Sequence, residues 1–346
     1  MNPALPNTIA DERQLDDLLS HPNEGVTNVF LRVPGDVLIL GAGGKMGPSL
    51  ALMAARALRG TAVQRRIIAV SRFSNKQLVT TLRAAGIEVI RCDLLADGAL
   101  EALPYAQHVI YMTGMKFGAS DDPARTWAMN CLLPAAVARR YRNSHIAAFS
   151  TGNIYGPVSV KSAGSKETDD LNPQGEYAMS SLGRERLLSY TCTQYGTPLS
   201  IIRLNYACEM RYGVLVDIGR KVWREEPVDV TMGHVNVIWQ ADANAVALQA
   251  LGEAAAPPFV INVTGPEKLK VRDIAKAFGK KMSKKPAFTG KEAPEALLND
   301  ASAAHQRWGT PHVSAKQLIE WTADWIMNDR VIWDKPTHFE VRSGKF

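Results

Sequence analysis

The stretch Val37-Leu38-Ile39-Leu40-Gly41-Ala42-Gly43-Gly44-Lys45-Met46-Gly47-Pro48-Ser49-Leu50 decides the fold. Four apolar residues make a short strand, a glycine cluster follows at once, and Ser49 to Leu58, rich in Ala, Leu and Met, reads as a helix. Glycines between a strand and a helix permit a tight turn and let backbone approach a pyrophosphate closely. They also leave the helix's first amides free to meet negative charge. The spacing is GxxGxxG through Gly41, Gly44 and Gly47, because Met46 stands where GxGxxG counted from Gly43 requires glycine. Gly41, Gly43, Gly44, Lys45, Met46 and Gly47 are therefore expected around the phosphates of a dinucleotide. A purely structural turn is the alternative.

Outward from this unit the pattern repeats. Apolar strands are expected at Arg66 to Val70, Glu88 to Cys92, His108 to Thr113, His145 to Ser150 and Leu199 to Leu204. Helical stretches lie between them around Lys76 to Ala85, Arg125 to Tyr141 and Tyr177 to Tyr195. Apolar strands alternating with helices call for a parallel sheet covered on both faces. The expected fold is α/β, a Rossmann-type doubly wound parallel sheet with a smaller C-terminal substrate-binding lobe. Residues 36–205 form the dinucleotide-binding part, 237–263 return to it, and 206–236 with 264–346 form the lobe. Residues 1–35 read as an N-terminal helical extension, with Leu15, Leu18 and Leu19 at helical spacing and a polar turn at His21-Pro22-Asn23.

Composition supports a globular, cytoplasmic chain. Of 346 residues, 46% are hydrophobic and 21% charged, near the globular average. The net charge of +6 is scattered in short clusters such as Arg65-Arg66 and Lys280-Lys281, without an aromatic-interleaved basic patch, so a nucleic-acid partner is not expected. Cys92, Cys131, Cys192 and Cys208 lie far apart with no CxxC pair, which argues against a zinc ribbon or a disulfide framework. No metal, signal peptide or membrane span is expected.

The tip of the second strand selects the cofactor, since an acid there bonds the ribose of NAD and an Arg accommodates the extra phosphate of NADP. Here it reads Ser71-Arg72 with no acid, which points to NADP, with NAD left open by an Arg that stacks on adenine or faces solvent. Asp93 and Leu94, after the third strand, are candidates for the adenine end, with helix capping as the other role for Asp93. Thr113 and Gly114, after the fourth strand, stand at the carboxyl edge where open α/β sheets bind ligands.

With Ser150-Thr151-Gly152-Asn153-Ile154-Tyr155-Gly156-Pro157, Asn172-Pro173-Gln174-Gly175-Glu176-Tyr177 and Trp239-Gln240-Ala241-Asp242-Ala243-Asn244-Ala245, the chain resembles the extended short-chain dehydrogenase/reductase, or NAD-dependent epimerase/dehydratase, family from about Val37 onward. Trp308-Gly309 and Gln317 to Trp325 are similar to that family's closing helices. The resemblance implies an NAD(P)-dependent oxidoreductase or epimerase acting at a carbinol carbon of a sugar, sugar acid or nucleotide sugar, and a homodimer. Thr151 and Tyr177 take the places of the family's catalytic Ser/Thr and Tyr, the latter exchanging a proton with a substrate hydroxyl. The family's lysine, four residues beyond the Tyr, is replaced by Ser181. A cation about 4 Å from a phenol contributes on the order of 4 kcal/mol at an effective dielectric of about 20, so its loss makes the Tyr a weak base.

Two outcomes stay open: Lys116 supplies the charge, or the protein is a degenerate dinucleotide-binding regulator or scaffold. Gly152 and Asn153 stand where the family's dehydratases carry an Asp-Glu pair, which disfavours dehydration. Asn205 matches a position near the cofactor, and Lys116, Asn153, Arg211 and Tyr212 are expected to meet substrate.

Overall fold

Alternation along the first inner strand sets the two faces of the molecule. A computed structural model describes residues 5–345; the first four residues of the expected N-terminal extension, and Phe346, lie outside the described residues. In β1 (Val37–Leu40) every residue is buried. Val37 and Ile39 join one apolar cluster while Leu38 and Leu40 join another, as the strand's period of two requires. With β2 (Ile67–Ser71), β3 (Glu88–Arg91), β4 (His108–Tyr111), β5 (His145–Thr151), β6 (Leu199–Leu204) and β7 (Phe259–Val263), it forms a seven-stranded sheet. The order is β7-β6-β5-β4-β1-β2-β3 and every pairing is parallel. The strand order reverses beside β1, so the crevice at the carboxyl ends of β1 and β4 is the ligand position of such sheets. The doubly wound sheet expected from the sequence is the one observed.

Helices α1 (Glu12–Leu19) and α2 (Glu24–Arg32) begin at side-chain caps, Asp11 accepting from the Gln14 amide and Asn23 from the Val26 amide. They bury Leu15, Leu19, Val26, Val29 and Phe30, so the N-terminal extension is part of one helical layer. That layer continues with α3 (Gly47–Ala57) and α4 (Lys76–Ala84). The opposite face carries α5 (Pro123–Trp127), α6 (Leu133–Arg140) and α7 (Gly175–Tyr195). The single helix expected over Arg125 to Tyr141 is interrupted by a π-helical turn at Ala128–Leu132. Residues 94–103 form turns in place of a helix from Leu95.

In the C-terminal part, α8 (Val214–Trp223), α9 (Gln240–Gln249), α10 (Val271–Met282), α11 (Ser302–Trp308) and α12 (Ala315–Met327) follow. α9 packs on the sheet with α2 and α3, whereas α8, α10 and α12 pack on one another. After α12 the chain runs without regular structure from Asn328 to Lys345, yet Thr337 and Phe339 on this segment are buried.

Candidate active site

The glycine turn is a cradle that side chains would close. Gly41 has φ +94°, and a Cβ there would lie 2.8 Å from Thr113 Oγ1 and 2.9 Å from the Thr113 backbone nitrogen. At Gly43 a Cβ would lie 2.7 Å from Ser71 Oγ, and at Gly47 2.5 Å from the Ala42 carbonyl oxygen. Gly44 is looser, its nearest neighbour being the Gly41 oxygen at 3.3 Å. Gly43 is thus constrained by a side chain, whereas Gly41 and Gly47 are held against backbone. The turn hangs on β2, with the Gly41 and Ala42 amides donating to the Val70 carbonyl at 2.9 and 3.2 Å. α3 starts immediately after Met46 with no side-chain cap and with Pro48 in its first turn. Its leading amides therefore remain for an anion. These residues fit a dinucleotide diphosphate.

Across the crevice, the loop after β4 is pinned by Asn130 from the π-helical turn. Its side chain accepts from the Met115 amide at 2.9 Å and donates to the Met115 carbonyl and to Ser180 Oγ, each at 2.9 Å. Thr113 Oγ1 on this loop is buried with no hydrogen-bond partner among the described residues, as a hydroxyl awaiting a ligand would be. Beside it, Arg184 of α7 is buried and donates to the Phe149 carbonyl at 2.8 Å and to Asn130 Oδ1 at 2.7 Å. A Cβ on Gly114 would lie 2.5 Å from its Nη2. Sequence reasoning missed both Asn130 and Arg184. The available signal was a polar residue within an apolar helical run and an Arg seven positions after Tyr177, on the same helix face.

Basic and aromatic groups gather at the end of the crevice. Tyr177 stands in the first turn of α7, and Lys116 Nζ lies 5.9 Å from its ring centre and 5.3 Å from that of Phe117. Lys116 donates to the Thr337 carbonyl at 3.3 Å. Burial draws its ammonium down to about 8, against the opposing pull of Asp217 and Glu340. Lys45 Nζ stands 3.3 Å from the ring centre of Tyr212 and 4.3 Å from that of Phe117. Burial, and then repulsion from Lys116 and Lys335, lowers Lys45 to about 7.

Known proteins resemble this chain in sequence family and in fold. The sequence profile of the NAD dependent epimerase/dehydratase family matches residues 37–208. This segment belongs to that family. The chain is accordingly an enzyme of the epimerase/dehydratase type, as the sequence resemblance implied. No curated protein sequence matches it significantly. Among solved structures it is similar to UDP-glucuronic acid 4-epimerase from Bacillus cereus in complex with UDP-glucuronic acid and NAD, with TM-score 0.70 and 18% identity over 85% of this chain and 99% of that one. The UDP-glucose 4-epimerase from Thermotoga maritima with UDP-glucose gives TM-score 0.70 and 16% identity over 85% and 99%. dTDP-glucose 4,6-dehydratase from Bacillus anthracis in complex with NAD gives TM-score 0.70 and 12% identity over 85% and 97%.

Within this epimerase/dehydratase-family site the remaining expected residues fall into distinct surroundings. Thr151 ends β5, buried, with Oγ1 accepting from the Asn153 amide at 3.2 Å. Asn153 lines a cleft with Gln174, Met232, Val341, Arg342 and Gly344. Asn205 is buried and donates to Asn236 Oδ1 at 2.9 Å. Arg72 is exposed, and Ser71 faces Gly43. Asp93 is exposed and accepts from the Leu95 amide at 3.2 Å, while Leu94 is buried in the core. Arg211 is engaged elsewhere: its guanidinium bonds Glu209 at 3.0 Å and Asp16 of α1 at 2.9 Å, tying the N-terminal extension to the lobe. Ser181 is buried, and its hydroxyl has no hydrogen-bond partner among the described residues.

Proposed function

We propose that this protein oxidises, reduces or epimerises a carbinol carbon of a sugar-like substrate with a nicotinamide dinucleotide. The observation that carries the reading is Lys116, which brings a cation to Tyr177 although Ser181 holds the place of the family's lysine. When bound, the nicotinamide accepts or returns a hydride. Tyr177 exchanges the proton of the substrate hydroxyl, and Lys116 favours the phenolate electrostatically. Thr151 orients the substrate oxygen from the end of β5. The backbone of Gly41 to Gly47 holds the diphosphate, and Thr113 and Gly114 border the nicotinamide half. Asn153 and Tyr212 border the substrate.

Residues 36–205 with 237–263 make the cofactor domain in this reading, and 206–236 with 264–346 the substrate lobe. The Ser71-Arg72 tip without a carboxylate favours NADP on charge, whereas the similar structures carry NAD. The choice is read from Arg72→Ala, which weakens NADPH binding but leaves NADH binding nearly unchanged if Arg72 meets the phosphate.

The test of the reading is Tyr177→Phe. Cofactor reduction across a panel of sugars and sugar acids is lost in the variant while its dinucleotide affinity is retained. Equal turnover removes Tyr177 from the chemistry, and tight dinucleotide binding with no turnover in the wild type favours the regulator reading.

The homodimer belongs to the same proposal, with the helical stretches around Arg125 to Tyr141 and Tyr177 to Tyr195 as its interface, because large apolar side chains are exposed there. Leu132 is 66% exposed and Tyr190 64%, with Trp127 and Leu187 nearby in sequence. Light scattering on Leu132→Glu/Tyr190→Glu, reporting half the wild-type mass, is its check.

A further inference from the structure

We propose that Lys45 and Lys116, flanked by the rings of Tyr212 and Phe117, form an anion subsite for the carboxylate of a small sugar acid that carries no nucleotide. This rests on the dinucleotide-enzyme reading above and names its substrate class.

The first observation is an orphaned cation. Lys45 Nζ is buried and has no hydrogen-bond partner among the described residues. An aromatic face offsets part of the desolvation, but an ammonium enclosed without an acceptor is costly. The amine sits on the same turn whose backbone forms the diphosphate cradle, and its flanking ring Phe117 also borders Lys116. Cofactor cradle and cation pair are thus joined through one residue.

Charge selects the ligand. Lys45, Lys116, Lys221 and Lys335 face Asp217 and Glu340 in this region, so positive charge is in excess. Asp217 is already engaged, accepting from the Thr337 amide at 2.7 Å and from its hydroxyl at 2.5 Å. That excess calls for an anion, and among the acidic groups a sugar carries the carboxylate is the smallest.

Space selects against a nucleotide. The segment from Trp333 to Gly344 crosses from the lobe to the rim of the sheet. The Trp333 amide donates to the Arg211 carbonyl at 2.9 Å, and Arg342 donates to the Glu295 carbonyl. Gly344 lies so close to Gly175 that a Cβ there would be 2.2 Å from the Gly344 oxygen. His338 stacks beside Phe117 with ring centres 6.2 Å apart. These contacts fix the strap beside Phe117 and the start of α7, which favours a free acid of a few carbons over one that carries a nucleoside diphosphate.

The carboxylate recharges Lys45 on binding. Because burial, Lys116 and Lys335 hold Lys45 near 7, a bound anion raises it again, and the complex takes up protons at pH 8.

The experiment is calorimetric titration of the NADH-saturated full chain with D-gluconate, D-galactonate and D-galacturonate, against D-glucitol and D-galactose as neutral counterparts, 6-phosphogluconate and UDP-glucuronic acid. A charge-assisted bond of about 1.5–3 kcal/mol corresponds to about 10- to 100-fold in affinity. At least one free acid therefore binds that much tighter than its neutral counterpart. Lys45→Gln loses the difference, Lys45→Arg keeps most of it, and heats in buffers of different ionisation enthalpy show proton uptake at pH 8. The inference is overturned if neutral and acidic probes bind alike, if Lys45→Gln binds the acid as the wild type does, or if the phosphorylated or nucleotide-linked acid binds tighter than every free acid. It is overturned alone if NADH binds but no free acid does. Should neither NADH nor NADPH bind folded protein, the enzyme reading falls and this goes with it. If Lys45→Gln does not fold, the wild-type comparison of acid and neutral probes decides.

Discussion

Replacing Lys116 by Met removes a charge and keeps a side chain of similar length. With Nζ 5.9 Å from the Tyr177 ring centre and an effective dielectric of about 20, the lost attraction for a phenolate is about 3 kcal/mol. If that attraction acts in the transition state, kcat falls about 100-fold. Cofactor affinity, set by the glycine turn, changes little. The ratio of wild-type to Lys116→Met rates also depends on pH with a fixed sign. Burial holds Lys116 at about 8, so its charge is present below that pH and lost above it. The ratio is largest below pH 8 and shrinks as pH rises through it. Lys116→Arg keeps its charge across this range, so its profile does not converge with that of the Met variant. The assay is steady-state turnover of the best substrate in the sugar-acid panel, with dinucleotide affinity measured in parallel. Equal kcat in wild type and Lys116→Met at pH 7 would refute the electrostatic role of Lys116.

Three further outcomes follow from the packing. Gly47→Ala puts a Cβ 2.5 Å from the Ala42 carbonyl, so it destabilises the fold by about 1–3 kcal/mol and weakens NADH binding, whereas Gly44→Ala, facing only a contact at 3.3 Å, is milder; thermal melts with and without NADH compare them. Glu185→Gln leaves the buried Arg203 without its 2.8 Å carboxylate partner, costing about 3–5 kcal/mol in a urea titration. His108, whose Nε2 lies 2.8 Å from the Pro34 carbonyl, is lowered by burial below the usual 6.5. Its folded form prefers the neutral ring, so stability is full above about 6.5 and falls as pH drops, by about 1.4 kcal/mol per unit until the lowered value is passed. His108→Gln flattens that slope in denaturation measured from pH 8 to 5.

The sheet was legible because its strands are nearly all apolar. A run such as Val37-Leu38-Ile39-Leu40, buried on both faces, has little choice but a central parallel strand. The cradle was legible for a related reason, since φ +94° at Gly41 and the close approach at Gly47 exclude other residues. Elements that depend on distant partners were not. The π-helical turn exists around Asn130, whose bonds go to Met115 and Ser180, and no local period announces them. Arg211 shows the same limit from the other side. Its place in the lobe suggested a substrate contact, but Asp16, nearly two hundred residues earlier, claims its guanidinium.

The lysine missing from α7 follows this logic. A catalytic cation acts through distance and dielectric, so the chemistry requires a charge near the phenol and is indifferent to the element that delivers it. A motif, by contrast, records one delivery route, the residue one turn after the Tyr. Here that position is a buried serine, and positive charge enters by three other routes: Lys45 from the glycine turn, Lys116 from the loop after β4, and Arg184 one turn further along α7 itself. Lys45 and Lys116 are lowered by burial toward neutrality. The site can therefore hold adjustable charge beside Tyr177. An acidic substrate would supply its own counter-charge to the adjustable pair, so its arrival would restore the charge on Lys45 that burial and the neighbouring lysines suppress.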